Sequence, residues 1–196
     1  MKTTTTTTAA GRLLRQARRG SALTQRELSR RAQIAQPSIA TLESGAHVPL
    51  VDRLDDLVAR AGHRLVVLPT RASTASDIAD AVYEALRSGN RRRARRLLVQ
   101  LNDDLASERG AVRVALAVTP PAPTGDRRFD AYIAALVDHH LSRKRLPIPE
   151  WVHEPDRFLD EPWTVDRFAD PDIESATPPA FRRHGVLLDR ADLASA

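Results

Sequence analysis

The sequence predicts a mainly α-helical protein with two helical regions, and three observations support that prediction. Apolar residues recur at i, i+3 and i+4 in several segments, which is the spacing of one face of an α-helix. Gly45 and Gly62 follow two of these segments, at positions where helices commonly end. Prolines and acidic residues crowd the last fifty positions, which leaves little room for long helices there.

The composition of the 196-residue chain limits its class. It contains no cysteine, which excludes disulfides and thiolate metal sites. No apolar stretch approaches the roughly 18 residues of a membrane span, and the threonine-rich start lacks the hydrophobic centre of a secretory signal. We therefore expect residues 1–10 to be a disordered leader, and the protein to be cytoplasmic with no membrane contact.

Charge is unevenly distributed along the chain. Residues 11–64 hold ten arginines against five acidic residues, whereas residues 147–196 hold five arginines against eleven acidic residues. A basic amino-terminal region favours binding to a polyanion, because neutralised phosphates supply most non-specific DNA affinity. The acidic end indicates that the two ends of the chain have different partners.

Four short helices are predicted in the first region, residues 11–62. Thr24 followed by Glu27 forms the pattern of a capping box at the start of the second helix. The third and fourth helices end at Gly45 and Gly62. The four helices are expected at residues 11–19, 24–32, 36–44 and 50–60.

The remaining chain is divided by composition. Residues 63–69 contain four consecutive apolar residues between a glycine and a proline, which predicts a short strand. A lone strand needs a partner, and the candidate is the same strand of a second copy. A linker is expected at 70–75, a helical domain at 76–146 with helices near 76–87, 91–106, 108–117 and 128–141, and an acidic, proline-rich irregular tail at 147–196.

The run LTQRELSRRAQIAQPSIATLESG at residues 23–45 resembles the lambda-repressor or XRE family of helix-turn-helix transcriptional regulators. Arg18 upstream and Val48-Pro49 downstream extend the match to about a quarter of the chain. The resemblance implies a lambda-repressor-like helix-turn-helix bundle that binds double-stranded DNA, with two copies reading a palindromic operator. No phosphate-cradling glycine loop, nucleophile elbow or paired-carboxylate signature appears in the sequence, so we expect that the protein is not an enzyme and has no cofactor.

The third helix has the two faces that a recognition helix requires, because Ile39 and Leu42 fall opposite Thr41 and Ser44. The resemblance makes Gln36 and Thr41 the candidates for base contact. It assigns phosphate contact to the start of the second helix. The candidate DNA-binding residues are Gln25, Arg26, Gln36, Pro37, Ser38, Thr41, Ser44 and Arg15.

Glu43 falls on the apolar side of the third helix, where a carboxylate needs a partner. In the family this partner is an arginine of the first helix, and Arg18 occupies the matching position, so a structural Arg18–Glu43 pair is expected. Two positions depart from the family pattern. Gln33 stands where glycine is frequent, which implies a left-handed backbone, and Ala35 stands where a serine or threonine cap is usual.

The histidines do not form a metal site in the sequence. His139 and His140 are adjacent and point about 100° apart on a helix, so they cannot ligate one metal there. His153-Glu154 begins like a zinc-protease helix, but Arg157 stands where the second histidine is required. No metal is therefore predicted.

Residues 91–96 include five arginines at a predicted helix start, where cations oppose the helix dipole. Three interpretations stay open: a solvated helix start, additional DNA-backbone contact, or pairing with the acidic tail.

The run PPAFRRHGVLLDRADL at 178–193 resembles C-terminal regions of actinobacterial regulators of toxin–antitoxin-like pairs. The tail aromatics Trp151, Phe158, Trp163 and Phe181 either bind a protein partner or anchor the tail to the helices. The leading hypothesis is a homodimeric repressor. The alternatives are an antitoxin whose C-terminal region neutralises a protein toxin, and a regulator that binds a small molecule after residue 76.

Overall fold

The computed structural model describes residues 8–166 and 172–194, and the chain divides into two compact units after Pro69. Both units are mainly helical, which confirms the predicted fold class. In the amino-terminal unit the helices are α1 (Ala9–Gly20), α2 (Gln25–Ala32), α3 (Gln36–Ser44) and α4 (Val51–Arg60).

Local capping explains where the first two helices begin. Thr8 accepts a hydrogen bond from the Gly11 amide at 3.2 Å, so α1 begins at Ala9 and includes two residues of the predicted leader. The predicted disordered leader, residues 1–10, is therefore wrong for Ala9 and Ala10, which belong to α1. Residues 1–7 lie outside the described residues. The predicted capping box is present at α2: Thr24 Oγ1 accepts from the Glu27 amide, and Glu27 accepts from the Thr24 amide.

A small apolar core holds the four helices together. Leu14, Leu28, Ile39 and Leu57 contribute one fully buried side chain from each helix. Gly11 permits the close approach of α1 to α3, because a Cβ atom there would lie 2.6 Å from the Leu42 carbonyl oxygen. The core thus fixes α3 on its apolar side and leaves its other side at the surface.

No strand is present at residues 63–69 in the described chain. Residues 64–69 make no backbone hydrogen bond to other described residues. Leu65 packs against the core of the amino-terminal unit, whereas Val66 and Val67 are exposed. A strand is defined by its hydrogen-bonded neighbour, so pairing with a second copy stays a prediction.

The carboxy-terminal unit begins at Thr70. The predicted linker is part of this unit, since the Ser73 amide donates to Asp104 and Thr70 donates to Glu108. Its helices are α5 (Ala75–Arg87), α6 (Arg91–Ser107), α7 (Gly110–Val118), α8 (Arg127–Ser142), α9 (Ile173–Ala176) and α10 (Pro179–Arg183), with 3₁₀ turns at Glu150–His153, Pro155–Arg157 and Arg190–Leu193.

Helix α8 lies at the centre of this unit, because residues 129–139 are all buried. It contacts α5, α6, α7 and α10. Two short strands, β1 (Trp163–Thr164) and β2 (Val186–Leu187), pair in parallel, with Trp163 opposite Val186. This pairing was not predicted from the sequence.

The region after residue 147 is integrated into the carboxy-terminal unit, so the boundary drawn at 146 does not separate two folded parts. Trp151 and Phe181 are buried, and the Trp151 indole donates to the Ala117 carbonyl at 2.8 Å. The Phe181 ring meets Tyr132 at 5.5 Å in an edge-on contact. Trp151 and Phe181 therefore anchor the segment to the helices, while Phe158 and Trp163 are half-buried, and binding of a protein partner by this region stays a prediction.

Candidate nucleic-acid interface

Helix α3 presents an exposed polar face. Gln36, Pro37, Ser38, Thr41 and Ser44 are all exposed, and Arg26 on α2 is exposed as well. On the opposite side of α3, Ile39 and Leu42 are buried. The eight predicted DNA-binding residues therefore divide into these six and two half-buried residues, Gln25 and Arg15.

The turn before α3 has the two departures that the sequence indicated. Gln33 has φ 55° and ψ 40°, a left-handed conformation that glycine adopts at lower cost. Ala35 precedes α3 without a side-chain cap, and Pro37 lies in the first turn, where its missing N–H costs little. The turn is nevertheless formed, and its three residues connect α2 to α3.

A buried ion pair supports α3 from behind. Arg18 Nε lies 2.6 Å from Glu43 Oε1, and Arg18 Nη2 lies 2.9 Å from Glu43 Oε2. Glu43 is 1 % exposed, and its carboxylate raises the pKa of the Arg18 guanidinium through this hydrogen bond. The two-point contact satisfies a carboxylate that would otherwise be buried at high cost.

Gln25 connects this ion pair to the exposed face. Gln25 Nε2 donates to Glu43 Oε2 at 2.9 Å, and Gln25 Oε1 accepts from Gln36 Nε2 at 2.9 Å. Because an ionised carboxylate only accepts hydrogen bonds, Gln25 must turn its NH₂ group toward Glu43. The Gln25 carbonyl oxygen therefore faces Gln36, so Gln36 must donate to it from its own NH₂ group.

This chain of bonds fixes the orientation of the Gln36 amide and leaves part of it free. One hydrogen of Nε2 is used by Gln25, and an NH₂ group has two. The second hydrogen and the oxygen Oε1 make no hydrogen bond to the described residues. Gln36 thus keeps one donor and one acceptor free at the exposed start of α3.

The hydroxyl groups of α3 are directed toward its own backbone. Thr41 Oγ1 donates to the Pro37 carbonyl at 2.9 Å, and Ser44 Oγ donates to the Thr41 carbonyl at 2.9 Å. Their oxygens keep acceptor capacity, and the Thr41 methyl group stays available for apolar contact. Thr41 and Ser44 therefore differ from Gln36, because their donor hydrogens are already engaged.

The two arginines among the predicted DNA-binding residues differ in how many contacts they make within the unit. Arg15 Nη2 donates to the Glu43 carbonyl at 2.9 Å, so this side chain is partly engaged in holding the end of α3. Arg26 makes no ion pair with the described residues. The sequence did not reveal this role of Arg15, nor the contact between Gln25 and Gln36, which are eleven positions apart.

Among the described residues, no group of three histidine or acidic side chains is arranged to hold a metal ion. No helix in the described part of the chain is long and apolar enough to cross a membrane.

Comparison with known proteins agrees with the geometry of the amino-terminal unit. Residues 9–68 match the family model of the helix-turn-helix domain. No curated protein and no solved structure matches the chain at a significant level. The helix-turn-helix domain indicates a DNA-binding regulator, and α2 and α3 are the two helices of the motif.

Proposed function

We propose that the protein is a sequence-specific transcriptional repressor that binds a palindromic operator as a homodimer. The observation that carries the proposal is the Gln36 amide, which is exposed at the start of α3 and oriented by Gln25. A regulator of this kind acts on DNA in the cytoplasm and needs no cofactor.

The free groups of Gln36 match one base. Adenine offers the N7 acceptor and the N6 donor in the major groove, and a glutamine can bind both at once. The remaining Nε2 hydrogen would donate to N7, while Oε1 would accept from N6. Thr41, five residues further along α3, would contact a neighbouring base through its methyl group or its oxygen, with Pro37, Ser38 and Ser44 bordering the groove.

Backbone contacts would position the helix. Gln25 is the first residue of α2, and its Nε2 keeps one hydrogen after the bond to Glu43. A phosphate at this helix start would accept that hydrogen and a backbone N–H. Arg26 is exposed beside it and would add a charge contact that is independent of sequence.

The homodimer would rest on residues 63–69. Val66 and Val67 are exposed, and the backbone groups of residues 64–69 have no hydrogen-bond partner among the described residues. Pairing this segment with the same segment of a second copy would bury the two valines and give these backbone groups hydrogen-bond partners. Two recognition helices would then need to lie about 34 Å apart to read the half-sites of a palindrome.

A second candidate function is that of an antitoxin. The carboxy-terminal unit has a complete core of its own, which DNA binding by α3 does not require. Because Trp151 and Phe181 are buried in this core, a toxin would have to contact other residues of the unit. Co-purification with a small enzyme encoded beside this gene would support the candidate, and purification of the two proteins apart would contradict it.

Selection of bound duplexes from a random pool tests the leading proposal. The wild-type chain should select a palindrome with an adenine in each half-site, and Gln36→Ala should relax preference at that position by about 1–3 kcal/mol. Gln100→Ala is the matched control, because Gln100 is an exposed glutamine on α6. An unchanged selected site in Gln36→Ala would contradict the assignment of the base contact.

A further inference from the structure

A dense positive surface lies on α6 in the carboxy-terminal unit. Arg92, Arg93, Arg95 and Arg96 are all exposed, and we refer to these four residues as the arginine patch. Between them, Ala94 is fully buried and fixes the rotation of the helix. At 100° per residue, the four side chains occupy the outward half of the first two turns.

The patch is not neutralised by its surroundings. Arg91 pairs with Asp126 at 3.2 Å, but the four patch residues make no ion pair with the described residues. The first turn of α6 contains no acidic residue. The next acid along the helix, Asp103, is seven residues beyond Arg96, or about 10 Å along the axis at 1.5 Å per residue, which is about one Debye length at 0.1 M salt.

The positive charge of the arginine patch does not stabilise α6. Cations in the first turn of a helix oppose its dipole, and neighbouring like charges repel one another. Arg128 stands in the first turn of α8, whose cap residue Asp126 also pairs with Arg91, so the starts of α6 and α8 are adjacent. Arg128 is exposed and increases the positive charge of this end of the unit.

We infer that the arginine patch is a second DNA-contacting surface, which binds the phosphate backbone without reading sequence. The inference rests on the proposed function. Duplex DNA carries one phosphate per about 3.4 Å on each strand, so adjacent phosphates can engage several guanidinium groups of one short helical segment. The patch contains no aromatic side chain, whereas the centre of a protein–protein interface is enriched in aromatics.

Salt-dependent binding of the full-length chain to its selected operator tests the inference. The test variant replaces the four patch arginines by glutamine. Each phosphate contact contributes about 0.9 to the slope of log K against log salt concentration, so the slope should fall by about 2 to 4. The preferred sequence should not change, because backbone contacts carry no base information.

A matched variant controls for net charge. It removes four exposed cations elsewhere in the same unit: Arg109→Gln, Lys144→Gln, Arg145→Gln and Arg182→Gln. Its slope should equal that of the wild type. The patch variant should keep its helix content and melting temperature, since it removes cations that oppose the α6 dipole.

The outcomes separate this inference from the proposed function. Failure of the wild-type chain to select any operator would overturn both. Specific binding with an unchanged slope in the patch variant would overturn only the second surface. Equal slope losses in the two glutamine variants would also overturn it, because the effect would then follow net charge and not position.

Discussion

Gln25 Oε1 accepts a hydrogen bond of 2.9 Å from Gln36 Nε2, while Gln25 Nε2 donates at 2.9 Å to the buried Glu43 carboxylate. An exposed amide at the tip of α3 is thereby connected to an ion pair in the core of the unit. A side chain held in its binding orientation loses less entropy when it binds. The carboxylate at the buried end also determines which edge of Gln36 is free.

Gln25→Ala should therefore weaken base preference although Gln25 contacts no base in the proposed complex. The Gln36 amide would lose its only fixed hydrogen-bond partner among the described residues, and either edge could then face the groove. A double-mutant cycle with Gln36→Ala, read from affinities for selected and substituted operators, should give a coupling energy of about 0.5 kcal/mol or more. Strictly additive effects would show that the two glutamines act independently.

Arg18→Ala should destabilise the amino-terminal unit. Glu43 would stay buried without its main partner, which costs about 3–5 kcal/mol for a buried pair, and the bonds from Gln25 and Arg15 place this case at the lower end. The loss should appear in urea unfolding followed by far-UV circular dichroism. Trp151 and Trp163 both belong to the other unit, so their fluorescence reports that unit separately.

Arg53→Ala provides the matched comparison for that experiment. Arg53 pairs with Asp56 at 3.2 Å on the exposed surface of α4, and such pairs contribute at most about 1 kcal/mol. Similar losses in the two variants would contradict the stabilising role assigned to the Arg18–Glu43 pair.

Gly11→Ala should be destabilising, and Gly20→Ala in the same helix should not. A Cβ atom at Gly11 would lie 2.6 Å from the Leu42 carbonyl oxygen, so α1 and α3 would have to separate, at a cost of about 1–3 kcal/mol. At Gly20 the nearest atom would be 3.5 Å away, in the His63 side chain. Thermal melting of both variants tests this prediction. Equal melting temperatures would show that the stability of the unit does not depend on the close approach of α1 to α3.

Local features of the sequence were sufficient to predict α1 to α8, but not the short helices α9 and α10 in the proline-rich region. The limits of α3, residues 36–44, agree with the structure, because the stop at Gly45 and the spacing of Ile39 and Leu42 are short-range signals. The capping box at Thr24 is equally local. The limits of the other predicted helices agree to within two residues.

Contacts between distant residues could not be predicted from spacing. Nothing in the sequence indicates that Gln25 meets Gln36, or that Gly11 contacts the end of α3. The tail was expected to be irregular because prolines interrupt helices, but its place in the core follows from large side chains such as Trp151 and Phe181. Burial of these rings compensates for the lack of regular backbone structure.

Val67→Asp should dissociate the proposed homodimer without affecting the fold of the monomer. Val67 is 97 % exposed, so a charge there meets only solvent in a single chain, whereas in a paired strand it would face or flank its own copy. Sedimentation velocity should show a shift from dimer to monomer. Val99→Asp, at an exposed valine of α6, should leave the wild-type mass unchanged. A Val67→Asp chain that remains dimeric would exclude this segment as the contact.

Acidification should weaken the carboxy-terminal unit through two neighbouring histidines. Burial lowers the pKa of both His139 and His140 to about 4, against an ordinary value of 6.5. Between these values the unfolded chain binds more protons than the folded chain, so the free energy of unfolding falls as the pH falls from 6.5 toward 4. Burial also raises the pKa of Asp104 and Asp130, and those shifts act in the opposite direction.

His140→Gln isolates the histidine contribution from that of the carboxyl groups. His140 Nε2 lies 2.9 Å from Asn102 Oδ1, and Asn102 uses its Nδ2 to donate to the Leu193 carbonyl, so the neutral His140 must carry its hydrogen on Nε2. Glutamine can donate to Asn102 but does not titrate. The free energy of unfolding of the His140→Gln variant should therefore fall less between pH 6.5 and 4 than that of the wild type. His153→Gln, at an exposed histidine, should keep the wild-type profile. If His140→Gln kept that profile as well, burial of His140 would not be a source of the acid sensitivity.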